Sequence, residues 1–210
     1  MSTMNRKFYI LIIALLSIDS TLIFGNAAQF ENAEPQAVNY FHDRDFLCKW
    51  VIAGPFPNEA SEQPLPDGSY YTGYFTDYLV GLGEESKAIL EPGQIITYEY
   101  RKQGKDSIRT KLIMEDLSKI INLEKIIGRF DNKTAYAFCY LNSDKDQTVQ
   151  ILLGSDDGVK VWINGDLVHQ NNVYRGLKLG EDNFSAQLRK GLNPVLVKMG
   201  FHQALIPYLL

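Results

Sequence analysis

A chain of 210 residues can build one domain with a substantial core. Its 12% of aromatic residues, led by twelve Tyr and eleven Phe, suit a β-rich extracellular fold better than a helical bundle. Net charge is −4, and no run of Lys and Arg interleaves with the aromatics, which argues against nucleic acid as a partner. Two cysteines do not make a disulfide scaffold.

Arg6 and Lys7 precede an apolar run over residues 8–16, and small residues follow at Gly25, Ala27 and Ala28. A basic start, an apolar centre and a small-residue end are the layout of a secretory signal peptide. Residues 1–28 are therefore expected to be one, with the cut after Ala27 or Ala28. Asp19 interrupts the apolar stretch and leaves it short of the roughly 20 residues that a retained helical anchor needs. The expected location is secreted, periplasmic or cell-surface, with no membrane attachment after cleavage. Residues 29–45, polar and carrying Pro35, read as a loose leader.

A first strand is expected over residues 46–53. It should stop at Gly54-Pro55-Phe56-Pro57, where two prolines remove ladder donors. Residues 59–74 read as a long loop rich in Pro, Gly and Ser, with Tyr70, Tyr71 and Tyr74 near its end. Gly81-Leu82-Gly83-Glu84 is a turn, and Glu84-Glu85 reads as a solvated acidic pair. A strand over 95–101 leads to a polar hairpin tip at 102–106. Over 112–127 β-branched residues dominate a loose helical stripe, which predicts strand with a helical turn near 123–127. Asp131-Asn132 turns into a strand over 134–141. Alternation there puts Tyr136, Phe138 and Tyr140 on one face and Ala135, Ala137, Cys139 and Leu141 on the other.

The chain centres on residues 149–169, VQILLGSDDGVKVWINGDLVH. Apolar runs at 149–153 and 159–163 flank Gly154-Ser155-Asp156-Asp157-Gly158, and Asn164-Gly165 precedes a short run at 167–169. Asn-Gly is the strongest short hairpin signal, because a type I′ turn needs positive φ at both central residues. Three consecutive antiparallel strands are expected. Period-two alternation sets Val159, Val161 and Ile163 against Lys160, Trp162 and Asn164. After a loop over 170–182 come a strand at 184–188, a turn at 189–193 and a strand at 195–199. Closely spaced strands with Gly, Pro, Asn and Asp between them predict an all-β sandwich or barrel. Cys48 and Cys139 each fall in a strand, where a bridge and two buried thiols are both open.

GSDDGVKVWING at 154–165, then LRKGLN at 188–193 and VLVK at 195–198, resembles the galactose-binding-like jelly rolls of exported bacterial proteins. In those domains a D-D-G-x-x-V-W-x-N-G hairpin precedes an L-x-x-G-x-N turn and the next core strand. WVIAGPFPN at 50–58 is similar to their opening strand. The Asp-Asp-Gly hairpin also resembles the protective-antigen-like sugar-binding β-sandwich. The resemblance implies a jelly-roll β-sandwich over residues 46–199 that lacks its last strand, with 200–210 as an atypical tail. It further implies a non-catalytic carbohydrate-binding accessory module that holds a glycan or polysaccharide through loops at one end.

In the protective-antigen-like adhesins paired aspartates coordinate calcium, which holds sugar hydroxyls. The resemblance therefore makes Asp156 and Asp157 candidate ligands and Ca2+ the candidate cofactor, an ion that takes about six to eight oxygens. Asp-Asp-Gly is equally good turn chemistry without a metal. Trp162, Tyr174, Tyr70, Tyr71 and Tyr74 are candidates for stacking on pyranose rings, and Trp162 is also a candidate core residue. His169, Arg175 and Asp182 are the polar candidates for hydrogen bonds to a ligand. His42, His169 and His202 lack metal spacing, Ser155 lacks a G-x-S-x-G context, and neither cysteine has a nearby His. No catalytic constellation is identified. Two other readings stay open. One is the N-terminal region of a glycoside hydrolase or polysaccharide lyase whose catalytic domain is encoded downstream. The other is a structural or adhesion module without a small-molecule ligand.

Overall fold

The computed structural model describes residues 9–17, 47–59, 61, 63–65, 71–100, 104–116, 121–128, 132–178 and 180–200. Its strands are β1 (Tyr9–Ser17), β2 (Leu47–Pro57), β3 (Ile95–Tyr100), β4 (Gly104–Arg109), β5 (Lys111–Asp116) and β6 (Ile121–Asn122). A one-turn helix α1 (Leu123–Ile127) follows. Then come β7 (Lys133–Ser143), β8 (Gln147–Ser155), β9 (Gly158–Ile163), β10 (Asp166–Asn171), β11 (Asp182–Leu188) and β12 (Gly191–Gly200).

Six strands form one antiparallel sheet in the order β10-β9-β12-β7-β2-β5, and four form a second in the order β11-β8-β1-β6. From β7 to β8 to β9, and again from β10 to β11 to β12, the chain changes sheet at each link. That alternation is jelly-roll connectivity, and the fold is an all-β sandwich. The expected alternation builds the core. Ala135, Ala137, Cys139 and Leu141 of β7 and Val159, Val161 and Ile163 of β9 meet Val149, Ile151 and Leu153 of β8 between the sheets. The helical turn expected near 123–127 is α1, whose Leu123 and Ile127 close one side of this core.

The six-stranded sheet is covered on its other face as well. Val51, Ala53, Phe56, Tyr136, Phe138, Trp162 and Leu196 are buried beneath Tyr78, Leu79, Ala88, Leu90, Ile96 and Tyr98. These come from the segment after residue 71 and from the β3–β4 hairpin, a separate two-stranded sheet. Phe56 anchors this third layer, stacking on Tyr78 at 4.8 Å and meeting Tyr98 and Tyr136 edge-on.

The structure corrects two expectations. β8 and β9 do not pair with each other. β8 lies between β1 and β11, β9 lies between β10 and β12, and Asp156-Asp157 is a corner from one sheet to the other. Both runs are apolar because both face the same core from opposite sides. The hairpin signal at Asn164-Gly165 does hold, with φ of 55° and 89° and β10 returning along β9. The first strand also outlasts its prolines. β2 continues because its register with β7 breaks between Ala53 and Phe56, which excuses Pro55 from donating, and Pro57, opposite Lys133, is its last residue. Residues 9–17, inside the expected signal peptide, form a strand, β1, paired with both β8 and β6, and the rest of residues 1–28 lies outside the described residues. The leader, Tyr70, His42, residues 201–210 of the tail and the side chain of Cys48 lie outside the described residues.

Candidate functional site

The corner between β8 and β9 is buried, with Asp156 at 3% and Asp157 at 1% exposure. Asp157 takes a left-handed φ of 61°, a conformation that Asp tolerates because its short side chain bonds nearby backbone. Its Oδ1 accepts the backbone N–H of Arg175 at 2.9 Å, and its own N–H donates to the Arg175 carbonyl at 3.1 Å. Ser155 Oγ donates to the Asp157 carbonyl at 2.8 Å and accepts from Arg175 Nη2 at 2.7 Å. Gly158 leaves room for Tyr74 and Asn172, because a Cβ there would sit 3.0 Å from Asn172 Oδ1 and 3.1 Å from the Tyr74 ring.

Arg175 then reaches across to Asp182, at the start of β11, with which its guanidinium pairs directly. Asp182 Oδ1 also accepts from Asn171 Nδ2 at 2.9 Å and lies 3.2 Å from His169 Nε2. Burial alone would raise the Asp182 carboxyl. Hydrogen bonds from His169, Arg175 and Asn171 outweigh it and hold the group well below the usual carboxylate range. The His169 ring stacks on Phe184 at 4.4 Å, tying β10 of one sheet to β11 of the other. Five of the six candidates, Asp156, Asp157, His169, Arg175 and Asp182, thus gather at one end of the sandwich. Asp157, Arg175 and Asp182 are spent largely on one another and on backbone.

This donor set does not fit calcium. Asp157 Oδ1 already takes an amide, and a guanidinium stands beside the corner, where a cation would be repelled. No group of three or more His, Cys, Asp and Glu able to hold a metal occurs among the described residues. The geometry is that of turn chemistry.

Trp162, the sixth candidate, points away from the valine face, as alternation expects. It is nonetheless only 7% exposed, inside the covering layer. The cavity beside it, lined by Glu85, Phe138, Gly165 and Leu196 among others, holds about 70 Å³. Ligand pockets run to about 300 Å³ or more, so this one does not house a sugar ring. The aromatic rings that reach solvent are others. Among the described residues Tyr174 is 44% exposed, and Phe75 and Tyr140 are each 43% exposed. Tyr71, buried, has its hydroxyl pKa raised by burial and then by the neighbouring Tyr174. Tyr74, also buried, donates from its hydroxyl to the Val159 carbonyl at 3.3 Å. It meets Phe75 edge-on at 5.2 Å and carries Lys160 Nζ 4.5 Å from its ring centre. Burial lowers the Lys160 pKa, although Glu85 and Asp77 oppose the shift.

One cluster went unread in the sequence. Lys198, fully buried on β12, donates to Glu85 Oε1 at 2.7 Å, and Tyr136 donates to the same oxygen at 2.7 Å. Glu85 is therefore no solvated acid. Lys198 also donates to the Thr76 carbonyl at 2.5 Å, which pins the covering layer to the sheet. The available signal was a lysine inside the otherwise apolar VLVKM, since a cation there must find a buried acid.

Comparison with protein-family models, curated proteins and solved structures finds no match for this chain.

Proposed function

We propose that this chain is an exported, non-catalytic glycan-binding module whose contact surface is the end carrying Tyr174 and Phe75. What carries the reading is the way Tyr174 is held. Its neighbour Arg175 is fixed through its amide and carbonyl by Asp157 and through its guanidinium by Ser155 and Asp182. A half-exposed ring on such a loop is pre-organised, so little ordering entropy is lost when a sugar's C–H face stacks on it. Phe75 stands edge-on to Tyr74 with Lys160 Nζ 5.6 Å from its ring centre. The resemblance to galactose-binding-like jelly rolls points to the same ligand class. Asp156, Asp157, His169, Arg175 and Asp182 act here by shaping the loops, and Trp162 acts in the core. A site of two rings and a few polar groups binds at micromolar to millimolar Kd, about −4 to −8 kcal/mol.

The test is a glycan array probed with the purified protein and with Tyr174→Ala, each with and without calcium. Retention that falls at least tenfold in the variant and ignores calcium supports the reading. A blank array together with capture of a protein partner makes the chain an adhesion module instead. Cleavage of any retained saccharide would show an enzyme.

A further inference from the structure

Sheet position rather than side-chain chemistry carries a second conclusion. β1 sits between β8 and β6, in register from Ile10 opposite Ser155 to Ser17 opposite Val149 and from Tyr9 opposite Asn122 to Ile10 opposite Ile121. Among the described residues β6 has no other partner in that sheet. The residues forming β1 are those whose basic start, apolar run and small-residue end mark them for removal on export. Once they are gone, β8 keeps, among the described residues, only β11, paired from Leu153 opposite Asp182 to Gln147 opposite Leu188. The opposite edge of β8 then presents unpaired N–H and C=O groups directly over the core residues Val149, Ile151 and Leu153. An edge that is both unpaired and apolar is a template for another strand.

We infer that the slot between β8 and β6 is an acceptor site for an extended apolar segment of a partner polypeptide, added antiparallel to β8. The inference rests on the export part of the reading above. The occupant's chemistry is read from the segment seated there, YILIIALLS, an uncharged run that follows β8 through seven register pairs. Strand addition of this kind draws affinity from main-chain hydrogen bonds and specificity from alternate side chains. A second copy does not offer the same segment, because export removes it from every copy.

The whole chain, expressed with its own N-terminus in an exporting bacterium, supplies the protein for the test. Intact mass first decides whether residues 1–28 are lost. An uncut chain overturns both the export reading and the acceptor site, since the slot is then filled from within. The cut protein is next mixed with a synthetic YILIIALLS peptide flanked by lysines for solubility, or with its scramble. The expected result is fast exchange at those amides of residues 149–155 that face the slot rather than β11, and their protection as peptide is added. Tm should rise until one peptide is bound per chain, with no response to the scramble. Protection, without peptide, of the β8 amides that face the slot, an equal response to the scramble, or a dimer that closes the slot would each overturn the acceptor site while leaving export intact.

Discussion

Asn164 Nδ2 donates to Asn193 Oδ1 at 2.8 Å, joining the Asn-Gly turn of the β9–β10 hairpin to the turn that enters β12. Asn193 is fully buried and bonds on every side. Its oxygen also accepts the Arg189 N–H, and its amide donates to the carbonyls of Leu141, Arg189 and Gly191. The two motifs that look separate in the chain, D-D-G-x-x-V-W-x-N-G and L-x-x-G-x-N, are therefore parts of one bonded unit.

Replacing Asn193 by Asp turns its donors toward those carbonyls into acceptors. Asn193→Asp should cost about 3 kcal/mol or more, since buried carbonyls lose their partner and a charge is buried unpaired. Asn164→Gly keeps the positive φ and removes one hydrogen bond, so it should cost about 1 kcal/mol. Urea unfolding of the two variants checks both numbers. Equal costs would mean that the Asn193 network does not hold the turn.

Asp182 is the hub of the corner network, and its depressed pKa makes a pH prediction. The ordinary value is 3.8, and the folded value lies below it. The unfolded chain therefore binds the proton first, so the stabilisation is complete above the ordinary value, begins to fall below it, and is lost as pH drops through the folded one. Asp182→Asn leaves the half-buried Arg175 guanidinium with Glu181, 3.4 Å away, in place of its direct carboxylate partner and should cost about 2 kcal/mol at pH 7. The gap between wild type and variant should narrow below about pH 4. Guanidinium unfolding at pH 7 and pH 3.5 reads the change; a gap that stays constant would remove Asp182 from the hub.

How far the sequence spoke depended on the range of the interaction. Alternation in β7 assigned both faces correctly, because the two sides of that strand meet different apolar layers. The Asn-Gly hairpin and the helical turn at 123–127 are local events, and Asn122 caps the latter by accepting from the Lys125 N–H. The Asp156-Asp157 corner was legible as a turn but not as a change of sheet. Turn chemistry sets φ at Asp157, while the choice of next partner belongs to β12 and β11, far along the chain. Glu85 was misread for the same reason, since its partners Tyr136 and Lys198 lie 51 and 113 residues away. The five gathered candidates were found because Asp, His and Arg clustered near one hairpin. Sequence could not say that they would satisfy each other.

Lys198 makes the opposite pH prediction. Burial pulls its pKa down to about 8, although Glu85 resists, from an ordinary value of 10.5. Between those values the unfolded chain holds a proton that the folded chain has released, so stability should rise with pH from about 8 upward. Tyr136 limits the rise. Burial, then Glu85, push its hydroxyl well above 10.0, and the stability it contributes is lost as pH climbs beyond that. The rise should therefore end near pH 10. Lys198→Met should abolish it and cost about 3–5 kcal/mol, because Glu85 stays buried without its cation. Adding Glu85→Gln should recover part of that loss. Urea midpoints at pH 7, 8, 9 and 10 decide the matter, and a flat profile in wild type would show that Lys198 is solvated.

Trp162 and Tyr174 should separate cleanly into a stability residue and a contact residue. Trp162 lies under Ala88 and Leu90 with the rest of the covering layer, so Trp162→Ala should cost about 3–5 kcal/mol by leaving a cavity. Its effect on glycan retention, expressed per folded molecule, should be negligible. Tyr174→Ala and Phe75→Ala remove half-exposed rings and should shift stability by no more than about 0.5 kcal/mol. Retention on the glycan identified by the array should fall in both, and further in the double variant. Urea unfolding and affinity chromatography on the same preparations give the two readouts side by side. If Trp162→Ala loses the glycan at unchanged stability while Tyr174→Ala keeps it, the contact surface lies at the β9–β10 hairpin, and the aromatic end is only a rim.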